Sequence, residues 1–123
     1  MAEVGKRELL LALIRCNGRP RLAGLNLSGM NLQGVAFQDA DLRGADMRRA
    51  DLTNADLTGA DLACADLASA VLRSARLDNA RLVRTDLRFT DCRNTTFRDA
   101  DLSGALLEGA IELDLSEPEE EEV

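Results

Sequence analysis

The chain contains no histidine, no tryptophan and no tyrosine, and its 123 residues include only three phenylalanines, Phe37, Phe89 and Phe97. Without imidazole there is no side chain whose ordinary pKa suits general base chemistry near neutrality. Its Ser and Thr hydroxyls lack the His partner that would activate them. Neither a P-loop nor another Gly-rich phosphate loop occurs, so no enzymatic activity and no cofactor or metal is expected. The shortage of aromatics also excludes a conventional core, because such residues supply large buried areas. Ala and Leu must fill a narrow, regular interior instead. No apolar run approaches the ~18 residues of a membrane span, and the first residues lack the basic, apolar, small order of a secretion signal. Cys16, Cys64 and Cys92 fit no zinc or redox spacing. An odd number of cysteines without a signal sequence points to reduced thiols in the cytoplasm.

A net charge of −7 suggests an acidic protein until it is placed along the chain. Residues 1–38 carry five basic and two acidic side chains, residues 39–66 three and seven, residues 71–99 seven and four, and residues 100–123 none and nine. The body up to Ile111 is neutral, and the excess lies in Glu112, Asp114, Glu117 and Glu119 to Glu122. The length is that of one domain. Within it we expect three parts: a helical segment over residues 1–19, a repeat body over 20–111, and an acidic, disordered tail over 112–123.

What is present in abundance is one phrase. Residues 40–67 read ADLRG ADMRR ADLTN ADLTG ADLAC ADL, a small residue, Asp, Leu and two variable positions. The same register runs from Pro20 to Gly109 without insertion, giving eighteen repeats. Their central residues are Leu in most repeats and Phe37, Met47, Cys92 and Phe97 in the others. Ala usually stands two positions before the centre, replaced by Thr85, Thr90 and Thr95; Gly, Asn, Ser or Asp usually stands two positions after it.

A period of five fits neither common element. On a helix, successive central residues would precess by about 140° and cover every side, and in a flat strand they would alternate between faces. They can share one side only if the chain turns about once per repeat, at the residues that tolerate turn geometry. A path that turns and rises must coil. Four turns closing a square would need twenty residues per coil, giving about 4.5 coils, roughly 22 Å high at the usual strand spacing. Ahead of it, residues 3–16 place Leu9, Leu10, Leu13 and Ile14 on one helical face, with Asn17-Gly18 and Pro20 as the stop.

The A-[DN]-L-x-x phrase resembles the pentapeptide-repeat proteins, and eighteen copies in register make the resemblance specific. It implies an all-β fold, a right-handed quadrilateral β-helix in which the central residue and the one two before it point inward. Leu22, Leu42, Leu62, Leu82 and Leu102 should then stack in one column, and Cys92 should be a core residue rather than a reactive thiol. The first coil has Pro20, Leu25, Met30 and Val35 in the small positions. The helix of residues 3–16 should lie across that end as a cap over unpaired backbone. At the other end the phrase fails at Glu112, and Leu106, Leu107, Ile111, Leu113 and Leu115 gather apolar residues there. This segment should either fold over its own end or, as in family members that stack end to end, meet a second copy in a two-fold homodimer through these five residues.

The outward Asp residues lie on different sides of such a prism and read as a solvated face rather than a catalytic or metal pair. Arg73, Arg76, Arg81, Arg84, Arg88, Arg93 and Arg98 are spread over four faces among Asp78, Asp86, Asp91 and Asp99. Direct nucleic-acid binding needs clustering on one side and is disfavoured; Asp–Arg pairing between adjacent coils is the plainer expectation. Some members of the family resemble a B-DNA rod and protect type II topoisomerases from fluoroquinolones. Here the prism is short, its body is neutral and its lower coils are Arg-rich, so that regulator role is the alternative reading. The leading one is a non-enzymatic scaffold presenting a rigid surface to an unidentified protein partner. The candidate surface is the face bearing Phe89, an aromatic at an outward corner, with Arg88 beside it, Arg48 and Arg49 two coils above and Leu106 one coil below.

Overall fold

The computed structural model describes residues 6–14 and 19–116. Expectations for the remaining residues, including the ends of the sequence-derived helix, Cys16 and the Glu-rich stretch after Ser116, lie outside the described part. The helix itself is present as α1, Lys6–Ile14.

From Pro20 onward the chain repeats every five residues and pairs with itself every twenty. Parallel pairing links Arg21 to Asp41, Asp41 to Asp61, Asp61 to Arg81 and Arg81 to Asp101, with three equivalent columns on the other sides of the coil. Each central residue starts a turn closed by a hydrogen bond between its carbonyl and the N–H three residues on, as from Ala65 to Leu62 at 2.9 Å. The third residue of the turn has positive φ in every repeat, from Gly24 to Gly109, the pattern of a type II turn. Seven of these eighteen sites are Gly and the others include Asn54, Asn79, Asn94, Asp39 and Asp99, residues that adopt this conformation with least strain. Four twists of this kind per twenty residues produce a four-sided coil.

One repeat shows where the backbone polar groups go. Asp61 donates to the Ala40 carbonyl at 2.9 Å and accepts from Leu42 at 2.8 Å, both in the coil above. Leu62 and Cys64 donate to the Arg81 and Val83 carbonyls in the coil below, at 2.7 and 2.9 Å. The Ala60 carbonyl accepts from Arg81 at 2.8 Å and the Ala63 carbonyl from Gly44 at 2.9 Å. The Ala63 N–H, which has no ladder partner, donates to Asp61 Oδ1 at 3.1 Å. That last bond gives the recurrent Asp its work. The same contact recurs at Asp41, Asp46, Asp51, Asp56, Asp66, Asp86 and Asp101, and Asn26 and Asn31 make it in the first coil. A carboxylate or amide oxygen is needed there; a negative charge is not.

The interior is as narrow as the composition requires. Central residues from Leu22 to Leu87 are at most 4% exposed, and the Ala residues two before them from Ala40 to Ala80 are at most 1% exposed. Cys92 is buried, and burial pushes its thiol pKa up. Thr85 and Thr95 replace Ala and are also buried, each hydroxyl donating to a carbonyl of the coil above, Leu62 and Leu72 respectively. Burial of a hydroxyl is tolerated because it is satisfied.

At the first coil, Leu10 of α1 is 3% exposed and joins the common core, with Leu11, Ile14 and Met30 packed beside it. Val35 is buried, whereas Leu25 remains 38% exposed.

Candidate functional site

The five residues singled out from the sequence do lie on one side of the coil. Asn26, Asp46, Asp66, Asp86 and Leu106 form its ladder column. The next positions outward on this side are Arg48 and Arg88, and the positive-φ corner is shared by Gly29, Arg49, Ser69, Phe89 and Gly109.

The arginines are less available than the sequence suggested. Arg48 donates through Nε and Nη2 to both oxygens of Asp46 at 2.9 and 2.7 Å, and its Nε is 3.8 Å from Asp66. Arg88 forks onto Asp86 in the same way, with Nη2 2.8 Å from Oδ2. These hydrogen bonds hold the Asp46 and Asp86 carboxyls below the usual carboxylate range and raise their arginine partners. The pattern differs from pairing between adjacent coils. The forked pairs, Arg43–Asp41 included, are inside one repeat, because the turn places the two side chains on the same edge two residues apart. Pairs between coils also exist, at Arg73–Asp91 and Arg81–Asp61. Asp91 is gripped from both sides, by Arg73 and by Arg93 at 3.2 Å.

Phe89 combines two properties. It occupies the positive-φ corner with φ +61°, a conformation costly for a bulky side chain. Its ring lies down over Gly109 in the next coil, where a Cβ would collide with it, yet the residue stays 57% exposed. One ring face therefore covers Gly109 and the other faces solvent. Leu106, one coil below Asp86, is 48% exposed and extends the apolar surface. Two coils above, Arg48 and Arg49 line a shallow recess with Ser28 and Gly29. Between the two arginine rows stand Ala68 and Ser69, with the part-exposed Asp66 carboxylate beside them, 3.8 Å from Arg48 Nε. The face thus has a low waist framed by guanidinium groups, with an aromatic ring on its lower rim. The ring thus lies along the protein's own surface, in a contact that joins residues twenty apart through a glycine.

The C-terminal end is the second region. Ile111 still pairs with Asp91, and Glu112 then takes φ +49° and ends the register. Leu107 and Leu113 are half-buried against the core, whereas Ile111 and Leu115 are 45% and 46% exposed. The segment therefore partly folds back on its own end and leaves an apolar remainder with Leu106. Among the described residues no group of three metal-ligating side chains converges, and no helix is long and apolar enough to cross a membrane.

The chain matches the family model for pentapeptide repeats, eight copies, over residues 20–49, 50–88 and 75–111. Among solved structures it resembles alr5209, a pentapeptide repeat protein from Nostoc Pcc 7120, with 33% identity and a TM-score of 0.73 over 85% of this chain and 86% of that one. It also resembles AT2G44920, a pentapeptide repeat protein of the Arabidopsis thaliana thylakoid lumen, with 34% identity and a TM-score of 0.43 over 69% and 63%. The plasmid-mediated fluoroquinolone resistance protein QnrB1 shares the fold at 19% identity, with a TM-score of 0.56 over 69% of this chain and 46% of that one. No curated protein sequence matches significantly. The matched repeats span the four-sided body described above, and the chain belongs to the pentapeptide-repeat family, whose members are right-handed quadrilateral β-helices.

Proposed function

We propose that this protein is a non-enzymatic scaffold of about 4.5 coils that offers its Phe89 face to a protein partner in the cytoplasm, with α1 capping the first coil. The observation that carries the reading is Phe89. A half-exposed aromatic is maintained at a backbone site where Gly is the commonest occupant, so the strain is not relieved by sequence choice. Aromatic and arginine residues are the ones enriched at interface centres, and Phe89 and Arg88 stand side by side on this face. Rigidity supports the same role, because the second and third coils are hydrogen-bonded on both sides throughout and no loop interrupts the register. A partner meeting such a face orders few side chains on this protein, which lowers the entropic cost of association.

A DNA-like surface that regulates a type II topoisomerase fits less well. It requires free rows of carboxylates, and here Asp41, Asp46, Asp86 and Asp91 are each held by arginine. The test is affinity capture from the native cell with the full chain, comparing wild type with Phe89→Asn and Arg88→Ala. Asn retains the turn and removes the ring, so a partner lost with Phe89→Asn while the fold persists supports the reading. A partner held equally by all three proteins refutes it, and inhibition of gyrase supercoiling by the wild type would favour the regulator role.

A further inference from the structure

The two ends of the coil are chemically unlike, and the difference follows from the ladder. In each repeat the groups directed toward the C-terminal end are two donors and one acceptor: for residues 60–64 these are the Leu62 and Cys64 N–H groups and the Ala60 carbonyl. Those directed toward the N-terminal end are one donor and two acceptors, the Asp61 N–H and the Asp61 and Ala63 carbonyls. The last coil therefore ends on a donor-rich edge. The N–H groups of Phe97, Asp99, Leu102, Gly104, Leu107 and Gly109 find no backbone partner among the described residues. The first coil begins on an acceptor-rich edge that includes the Asn31 and Gln33 carbonyls.

Those two carbonyls are occupied, but by a side chain. Arg7 of α1 donates through Nη1 to the Asn31 carbonyl and through Nη2 to the Gln33 carbonyl, the latter at 3.0 Å. One coil below, the equivalent Asp51 and Thr53 carbonyls accept from the Leu32 and Gly34 N–H groups at 2.7 and 2.9 Å. The guanidinium fork thus takes the place of two ladder donors. Its planar, paired N–H groups match this task as an ammonium would not.

Charge is divided in the same sense. Residues 19–39 contain Arg19 and Arg21 against Asp39 alone, whereas residues 100–116 contain Asp101, Glu108, Glu112 and Asp114 and no basic side chain. Two C-terminal ends brought together would oppose donors to donors and carboxylates to carboxylates. A C-terminal end on an N-terminal end matches both.

We propose that the partner of the C-terminal edge is the first coil of a second copy of this chain, stacked head to tail in continuation of the ladder, and that Arg7 is the latch by which α1 holds that coil closed. The contact is heterologous, so it leaves a free edge at each end and propagates instead of closing as a dimer. α1 can yield its place because its nine residues are below the length that is stable alone. The inward Leu102 and Leu107 of the last coil, only half-buried at the open end, are then covered by the first coil of the neighbour, which contributes the exposed Leu25.

Sedimentation velocity on the full chain tests this, over a concentration series at low and high salt. Arg7→Ala should raise the association constant at least about tenfold, give a mass that climbs with concentration without a plateau, and lose association at high salt. In that background Glu108→Gln with Glu112→Gln should weaken association, because attraction to the basic first coil is reduced. A two-fold contact through the C-terminal ends requires the opposite, tighter association once like charges are removed. A folded Arg7→Ala variant that keeps the wild-type mass at every concentration overturns the proposal. So does a closed dimer strengthened by the neutralising pair. Circular dichroism checks the fold, and if Arg7→Ala does not fold, Arg7→Lys, whose single ammonium cannot span both carbonyls, is held to the same criteria.

Discussion

Introducing a methyl group at Gly109 probes the Phe89 ring from below. Ala at φ +72° costs ~1–2 kcal/mol relative to a relaxed backbone, offset by ~0.4–1 kcal/mol from the lower entropy of the unfolded chain. Backbone effects alone should therefore destabilise Gly109→Ala by ~1 kcal/mol. The added Cβ also collides with the ring, which must leave its position. Phe89 is 57% exposed, so about two-fifths of a side chain of ~200 Å² is covered, roughly 85 Å². At ~25 cal/mol per Å² its displacement costs at most ~2 kcal/mol. Gly109→Ala should then cost ~2–3 kcal/mol in the wild type and ~1 kcal/mol in a Phe89→Ala background, a coupling of ~1–2 kcal/mol. Gly29→Ala in the same corner column supplies the control, since no atom lies within 4 Å of its added Cβ. Urea unfolding of these variants measures each difference through the midpoint. Equal costs for Gly109→Ala in both backgrounds would show that the ring does not rest there.

The Asp residues yield to two tests. Asp66→Asn should change stability by less than ~0.5 kcal/mol, because an amide oxygen still accepts the Ala68 N–H at 3.0 Å, whereas Asp66→Ala should cost ~1 kcal/mol in the same urea assay. Acid should unfold the protein: the Arg43 guanidinium draws Asp41 down to about 2, and hydrogen bonds lower Asp46, Asp51, Asp86 and Asp101. Folded values below the unfolded ~3.9 mean that this stability is fully present above about pH 5 and is lost as pH falls toward 2, which a melting series against pH measures. Maleimide labelling followed by peptide mapping should modify exposed Cys64 and spare Cys92 until the protein is unfolded, because Cys92 is buried and its thiol pKa is raised.

The body of the fold was legible because its period forces a turn in every repeat and its phrase resembles that of one family. Once Leu42, Leu62 and Leu82 must share one side, the chain has to turn every five residues; the columns, the buried Cys92 and the inward Ala residues then came from the resemblance of the phrase to the pentapeptide-repeat family. The gathering of Arg48, Arg49, Arg88, Phe89 and Leu106 on one side followed in the same way. Their state did not. Whether Arg88 is free or forked onto Asp86 depends on side-chain torsions at a turn, and the period is silent on those. The Asp role was half legible: solubility and turns were expected, but the bond to an unpaired N–H two residues ahead emerges only from backbone geometry.

The sequence by itself determined the need to turn in every repeat, because that is set by repeat length and by where apolar residues recur. Through the family resemblance of its phrase it gave the interior, the side-by-side register and the order of the faces. Tertiary structure decided everything that depends on direction along the coil axis. A five-residue phrase does not state which N–H groups point up and which point down, so it could not show that one end is rich in donors and the other in acceptors. Nor could it place Arg7 on the Asn31 and Gln33 carbonyls, twenty-four and twenty-six residues away, since that contact forms only when the helix has docked on the first coil.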